Sequence, residues 1–497
     1  MGLTVVLKMG GTTLILTSLT HKCQRRFFIS PTSNKFKKVE VLSENNDKLE
    51  RKLSARHMKM IALGGTIGVG LFMGAKSTIG WTGPSVLLDY AIAGLFLYLI
   101  MRALGEMLYV HPVTGSFSQF ASEYLHPVFG YLTAWSNVFQ YIVVGISEVI
   151  AIGTYMQFWW PHLPTWLPGI VAIVFLCIAN LVSVSAFGEL EYWFALVKVV
   201  TIIAMIIIGL VIIVFGFNGI HPTGISNIWS HGFFANGFKG FFFALAIVIA
   251  SYQGIELIGV TAGEAENPKQ TLVKAIQDTI GRILIFYIGA IFVILSIYPW
   301  DKISQIGSPF VETFSQVGIT AAASIINFVV VTAALSGSNS GIYSASRMEF
   351  LLSEEGQLPK VFKKLNRHGV PYVSVISISA GILIGLFLNV LLPIFFPSAN
   401  QIFVYVYSSS VLPGMVPWVV ILVSQIRFRK QHPEELVNHP FKMPLSPISN
   451  YITLIFLAIT LVFMFINPST RIPLIIGIFF LLIMTILYFV KFNQNNK

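Results

Sequence analysis

The sequence predicts an all-α integral membrane protein of twelve transmembrane helices, and three observations carry that reading. Of 497 residues, 55% are hydrophobic and only 11% are charged, against roughly a quarter charged in an average soluble domain. The apolar residues fall in runs of about 20, the length needed to cross the hydrocarbon of a bilayer. The Lys and Arg residues gather in alternate loops between those runs.

The runs place the spans near residues 58–79, 84–108, 128–156, 168–186, 193–216, 237–262, 281–298, 318–345, 372–393, 401–425, 450–466 and 471–490. Backbone polar groups in lipid must be satisfied within their own segment, so each span is a helix. With the N-terminus in the cytoplasm, the inside segments hold Arg51, Lys52, Arg56, Lys59, Lys269, Lys274, Arg282, Arg347, Lys360, Lys363, Lys364, Arg367, Arg427, Arg429, Lys430, Lys442, Lys491 and Lys497. The outside loops hold Lys302 and Arg471, and residues 217–237 hold neither Lys nor Arg. The expectation is a multi-pass membrane protein with both termini cytoplasmic. Trp159, Trp160, Trp166, Trp229 and Trp300 stand at span ends, where an aromatic belt is expected.

The net charge of +11 is explained by those loops rather than by a nucleic-acid partner. Cys23 and Cys177 give neither a disulfide framework nor metal-ligand spacing. No metal and no cofactor are expected. Residues 1–50 differ from the rest: a weakly apolar stretch precedes Arg25 and Arg26, the reverse of a signal peptide. They read as a disordered N-terminal extension or the product of a mis-set start.

Two spans carry marks of interruption. The first reads Ile61-Ala62-Leu63-Gly64-Gly65-Thr66-Ile67-Gly68-Val69-Gly70, four glycines in seven residues. Glycine costs about 1 kcal/mol against alanine inside a helix. Such a cluster lets the helix unwind around a cavity, or lets neighbouring helices pack closely. The sixth reads Ala250-Ser251-Tyr252-Gln253-Gly254-Ile255-Glu256, with glycine, glutamine and glutamate together in mid-span. A break near the start of each half marks an inverted repeat: residues 51–216 (helices 1–5) and 235–425 (helices 6–10), with helices 11 and 12 at 450–490 outside it.

Ionisable residues inside spans cost at least about 2.5 kcal/mol each on insertion scales and need reasons. Lys198 in the fifth span either snorkels to the inner interface or gains and loses a proton during transport. Glu256 either caps the broken helix or serves the site directly. Glu148 in the third span belongs to a polar network or meets substrate. Glu264 serves an inner gate, and Asp89, Arg102 and Glu106 are read as interfacial. No Ser/His/Asp arrangement, His-Glu-x-x-His pattern or phosphate loop points to an enzyme.

Several separated motifs are similar, in order, to those of the amino acid permeases of the amino acid–polyamine–organocation superfamily. They are the glycine-rich first span, Phe187-Gly188-Glu189-Leu190-Glu191-Tyr192-Trp193-Phe194-Ala195 leading to Lys198, Gly254-Ile255-Glu256-Leu257-Ile258-Gly259 leading to Glu264, Glu266-Asn267-Pro268, and Ser338-Asn339-Ser340-Gly341-Ile342-Tyr343 with Ser346-Arg347-Met348. The resemblance covers about residues 51–490. Within the amino acid transporter family, the stretches at 155–159, 308–312 and 321–330 resemble most the permeases for D-serine, D-alanine and glycine.

The resemblance implies a leucine-transporter-like fold with a 5+5 inverted repeat and two extra helices. It implies that backbone N–H groups at Ile67, Gly68, Val69 and Gly70 hold a substrate carboxylate. Carbonyls near Thr66, Ala250 and Gln253 would hold the ammonium, and Ser251 and Tyr252 would line or cap the site beside Gly254. Lys198 and Glu256 would couple protons, with Glu148 and Glu264 in a gate or network. The implied activity is import of small neutral amino acids (D-serine, D-alanine, glycine, L-alanine) by proton symport, as a monomer or weak homodimer in the lipid bilayer. Permeation or exchange of another amino acid, such as 4-aminobutyrate, proline or an aromatic one, is the alternative; a non-transporting amino acid receptor is the alternative of another class.

Overall fold

The computed structural model describes residues 4–9, 12–17, 53–113, 115–217, 221–264, 268–303, 308–316, 320–395 and 402–492. The chain divides into two units, residues 1–45 and 46–497.

In the first unit, Thr4–Met9 pairs antiparallel with Thr12–Thr17, Met9 opposite Thr12. The expectation of disorder over 1–50 therefore does not describe these twelve residues. Two β-branched, apolar hexamers flank Gly10-Gly11, and a two-residue glycine loop is the sequence signal of a hairpin. The rest of 1–50 lies outside the described residues.

In the second unit every regular element described is helical. Nine helical stretches among the described residues are long and apolar enough to cross a bilayer. One of them, Val69–Val110, contains the second half of the first span and all of the second; the shorter apolar helices Trp166–Val182 and Ile283–Ile297 supply the fourth and seventh. All twelve spans read from the sequence are accounted for. Spans 5, 9, 11 and 12 turn large apolar side chains outward, with Phe215, Ile384, Ile455 and Phe479 all more than half exposed. An apolar surface of that extent belongs against lipid.

Local chemistry sets the ends. Spans 3, 7 and 12 open on Pro127, Pro268 and Pro468, since proline at the first helical position gives up an N–H that has no partner there. Span 5 begins at Val184, nine residues before the expected 193, because the Ser183 hydroxyl accepts from Ala186 N at 3.0 Å and caps it. Span 7 starts at Pro268 and not 281, its first turns being too polar for a hydropathy window. Span 8, Thr320–Glu354, runs nine residues past the expected 345. Span 10 is divided at Ser410 into Ile402–Ser409 and Val411–Gln431.

Spans 1 and 6 are interrupted where the sequence indicated. Span 1 consists of Ala55–Gly64, then Val69–Phe72 and Gly74–Thr82. Span 6 consists of Gly237–Tyr252 and Leu257–Thr261. The breaks touch: a Cβ on Gly254, whose φ is +107°, would collide with the carbonyl oxygen of Gly65. Only glycine fits that approach at that φ.

Two carboxylates tie the bundle at the end where the loops carry Lys and Arg. Glu106, at the end of span 2, accepts from Arg429 Nε and Nη2 at 2.7 Å each, from Gln425 Nε2 at 2.9 Å and from Met443 N at 2.5 Å. Glu264 accepts one side-chain bond, from Arg347 Nε at 3.0 Å, while its backbone carbonyl holds Leu53 N. Arg347, counted with the loop cations by sequence, is thus only 3% exposed, with its guanidinium 3.8 Å from the Tyr343 ring centre. Glu106 and Asp89, expected near the interfaces, are both wholly buried within the bundle. Glu106 is satisfied by its four donors; among the described residues neither oxygen of Asp89 has a hydrogen-bond partner.

Candidate functional site

The two breaks enclose a cavity with spans 3, 8 and 10. It is lined by Gly65, Thr66, Gly68 and Gly70 from span 1, Ala250, Ser251 and Gln253 from span 6, Gln140, Tyr141, Val144 and Glu148 from span 3, Gly337 from span 8 and Tyr407 from span 10. The free space is about 20 Å³, room for one or two waters and too little for an amino acid.

The unwound turn in span 1 frees carbonyls at its start and N–H groups at its end, and side chains from other spans meet both. Lys198 Nζ donates to the carbonyl of Gly64, to that of Ile67 at 3.0 Å and to Ser336 Oγ at 2.8 Å. Lys198 is wholly buried, so it does not snorkel. Tyr287 Oη, from span 7, stands 2.7 Å from both the Thr66 and Ser251 carbonyl oxygens and bridges the two breaks. Val69 N donates to Glu148 Oε1 at 3.4 Å.

The break in span 6 is closed mainly by its own side chains. Glu256 accepts from Gln140 Nε2 at 3.2 Å and Tyr141 Oη at 3.3 Å on one oxygen, and from Gly254 N at 3.1 Å and Trp418 Nε1 at 3.3 Å on the other. This is the capping geometry, shared with spans 3 and 10. Gln253 reaches span 10, donating to the Ser410 and Val411 carbonyls at 3.4 and 3.3 Å and accepting from Ser410 Oγ at 3.3 Å.

Of the residues named from sequence, Thr66, Gly68, Gly70, Ala250, Ser251, Gln253 and Glu148 line the cavity. Ile67, Val69, Gly254 and Glu256 build its backbone and buttress it. Tyr252 does not line it: its hydroxyl donates to the Tyr90 carbonyl at 2.9 Å, and its ring stacks on Tyr287. Glu264, expected at an inner gate and not at the cavity, pairs with Arg347. The Thr66 carbonyl expected to hold an ammonium accepts from the Tyr287 hydroxyl.

Sequence reading missed Gln140, Tyr141, Tyr287, Tyr407 and Glu191. Glu191, wholly buried, accepts from Ser336 Oγ and, at 3.1 Å, from Asn339 Nδ2, and Asn339 Oδ1 accepts from Asn180 Nδ2 at 2.8 Å. Ser336 therefore joins Glu191 to Lys198. The available signal was spacing: Glu191 and Lys198 are seven apart, two turns on one helix face.

The amino acid permease family profile matches residues 57–496. The chain is 61% identical over 447 residues to the probable threonine/serine transporter YbxG of Bacillus subtilis (strain 168), covering 90% of this chain and 96% of the relative. It is 42% identical over 452 residues to the amino-acid permease AapA of the same organism, covering 90% and 96%. It is 39% identical over 449 residues to the aromatic amino acid transport protein AroP of Escherichia coli O157:H7, covering 90% and 97%. None of these three is named for D-serine, D-alanine or glycine, so the narrower of the two resemblances is not what they support. The profile match and the near full-length relatives together make this chain a member of the amino acid permease family.

Proposed function

We propose that the protein imports small neutral amino acids across the cytoplasmic membrane by proton symport, with L-threonine and L-serine the first substrates to test. The observation that carries this reading is the cavity between two interrupted helices with a buried lysine bonded to the first interruption. The basic loops would face the cytoplasm, and residues 51–216 and 235–425 would form the two inverted repeats.

The amino acid would lie between the breaks. Its carboxylate would take the N–H groups at Ile67 to Gly70, and its ammonium the carbonyls near Thr66, Ala250 and Gln253. The second requires the Tyr287 hydroxyl to yield one of its two carbonyls. Backbone recognition reads what all amino acids share, so side-chain choice falls to Val144, Tyr407 and the other walls. Lys198 biases alternating access only as far as its proton affinity differs between the two access states.

The test is uptake by proteoliposomes of labelled L-threonine, L-serine, glycine, D-alanine and D-serine, with and without an inside-alkaline gradient. Concentrative uptake of one or more that requires the gradient is the expected result. Uptake indifferent to the gradient overturns symport, and no uptake or exchange of any of the five overturns the substrate class.

A further inference from the structure

The best-formed part of the cavity is already taken by the chain itself. Glu148, on span 3, is 2% exposed and aims its carboxylate at the first N–H after Gly68. A Cβ on Gly68 would come within 2.6 Å of Oε1, and a Cβ on Gly337 of span 8 would collide with the same oxygen. Two glycines, on different helices, thus clear the space in which this carboxylate sits. Its second oxygen, Oε2, has no hydrogen-bond partner among the described residues. A buried carboxylate normally takes several donors; this one takes a single long bond and lines a cavity.

Lys198 does not neutralise it directly, for the ammonium is bonded to two carbonyls and Ser336. The other titratable groups near Glu148 are neutral hydroxyls, of Tyr155 on its own helix, Tyr287 on span 7 and Tyr407 on span 10. Hydroxyls can turn toward a carboxylate or away from it, so none of them fixes its position.

We propose that Glu148 is an internal stand-in for the substrate's carboxylate, displaced by the entering amino acid and protonated as it leaves. The inference rests on the transport reading above. Two carboxylates competing for one set of N–H groups in an enclosed site cannot both stay ionised. The substrate arrives as a zwitterion and keeps its carboxylate ionised on the backbone. A proton from the aqueous phase forms the O–H bond on Glu148, and the neutral acid donates from its new position. When the amino acid departs, Glu148 gives that proton up and returns to Val69 N. One proton is taken up per molecule bound and released per molecule delivered.

The sign of the pH dependence follows. Binding needs the protonated acid, so raising the pH withdraws the proton and weakens binding, by up to about tenfold per pH unit. The experiment is calorimetric titration of the purified full chain with L-threonine and with glycine, each in two buffers of different ionisation enthalpy, between about pH 6 and 9. The wild-type protein is expected to take up close to one proton per amino acid. Glu148→Gln is expected to bind with no proton uptake and an affinity independent of pH. Wild-type binding without proton uptake, or undiminished uptake in Glu148→Gln, overturns the proposal. Failure of a folded wild-type protein to bind either amino acid counts against the substrate class instead. Should Glu148→Gln not fold, Glu148→Asp decides: the shorter acid reaches Val69 N less well, so binding is expected to tighten severalfold with the proton retained. Weaker binding by that variant overturns the stand-in.

Discussion

The two helix breaks solve one problem in opposite ways. Each opens a turn of backbone inside the bundle, where unsatisfied N–H and C=O groups are costly. The break in span 6 is closed by residues of its own stretch: Gln253 bonds to span 10, and Glu256 gathers four donors around one side chain. The break in span 1 contributes almost no side chain of its own, and is closed by Lys198, Tyr287 and Glu148 from three other helices. The break in span 1 is held by groups that can change protonation or turn away, the break in span 6 by a network centred on its own Glu256. On the proposed reading, this difference makes span 1 the break whose partners would change as solute and proton bind, and span 6 the more firmly held wall of the same site.

The sharpest way to break that comparison is Lys198→Ala. It leaves two carbonyls and the Glu191–Ser336 pair without their cation, and removing one partner of a buried charge cluster costs about 3–5 kcal/mol. Gradient-driven accumulation in proteoliposomes is expected to vanish while exchange survives; accumulation at the normal level would reject the role. Gly68→Leu comes next. Its side chain must enter the space of the Glu148 carboxylate, so amino acid binding measured by calorimetry is expected to disappear from a protein that still runs as a single peak on size exclusion. Retained affinity would remove the first break from the site.

Tyr287→Phe has a smaller expected effect. It deletes the hydroxyl between Thr66 and Ser251, worth about 1 kcal/mol, and should lower uptake severalfold and the melting temperature by a few degrees. Trp418→Phe should matter least. Glu256 keeps three of its four donors, so uptake within about twofold of wild type is expected, with a stability loss of at most about 1 kcal/mol. A larger transport defect in Trp418→Phe than in Tyr287→Phe would reverse the assignment of moving and fixed breaks.

Much of this was legible in the sequence, for reasons that differ between elements. The breaks announced themselves because glycine clusters and mid-span polar residues are hard to reconcile with lipid. Lys198 stood out as an ionisable group in an apolar run, and the resemblance to the permeases supplied its expected role. Glu191 went unassigned because span 5 was begun at 193, which left this residue in a loop; only its helical spacing from Lys198 could have moved it inside. Tyr287 and Tyr407 carried no signal, since a tyrosine in an apolar span is ordinary until the carbonyls it meets are known. The pairing of Thr4–Met9 with Thr12–Thr17 has its sequence signal in Gly10-Gly11 between two β-branched hexamers, a signal that the charge pattern around it obscures.

The contrast between Glu106 and Glu264 has a mechanical corollary. Four donors from the tenth span and the segment after it converge on Glu106, so the basic ends of spans 2 and 10 are fastened as one body. Glu264 joins spans 6 and 8 through one guanidinium bond, and its other oxygen has no hydrogen-bond partner among the described residues. If the bundle rocks as the proposed transport requires, the joint of spans 6 and 8, held by this single ion pair, would yield before that of spans 2 and 10. Water reaching that single pair would hydrate both charges at once, turning a closed joint into an aqueous path without loosening the other side of the molecule.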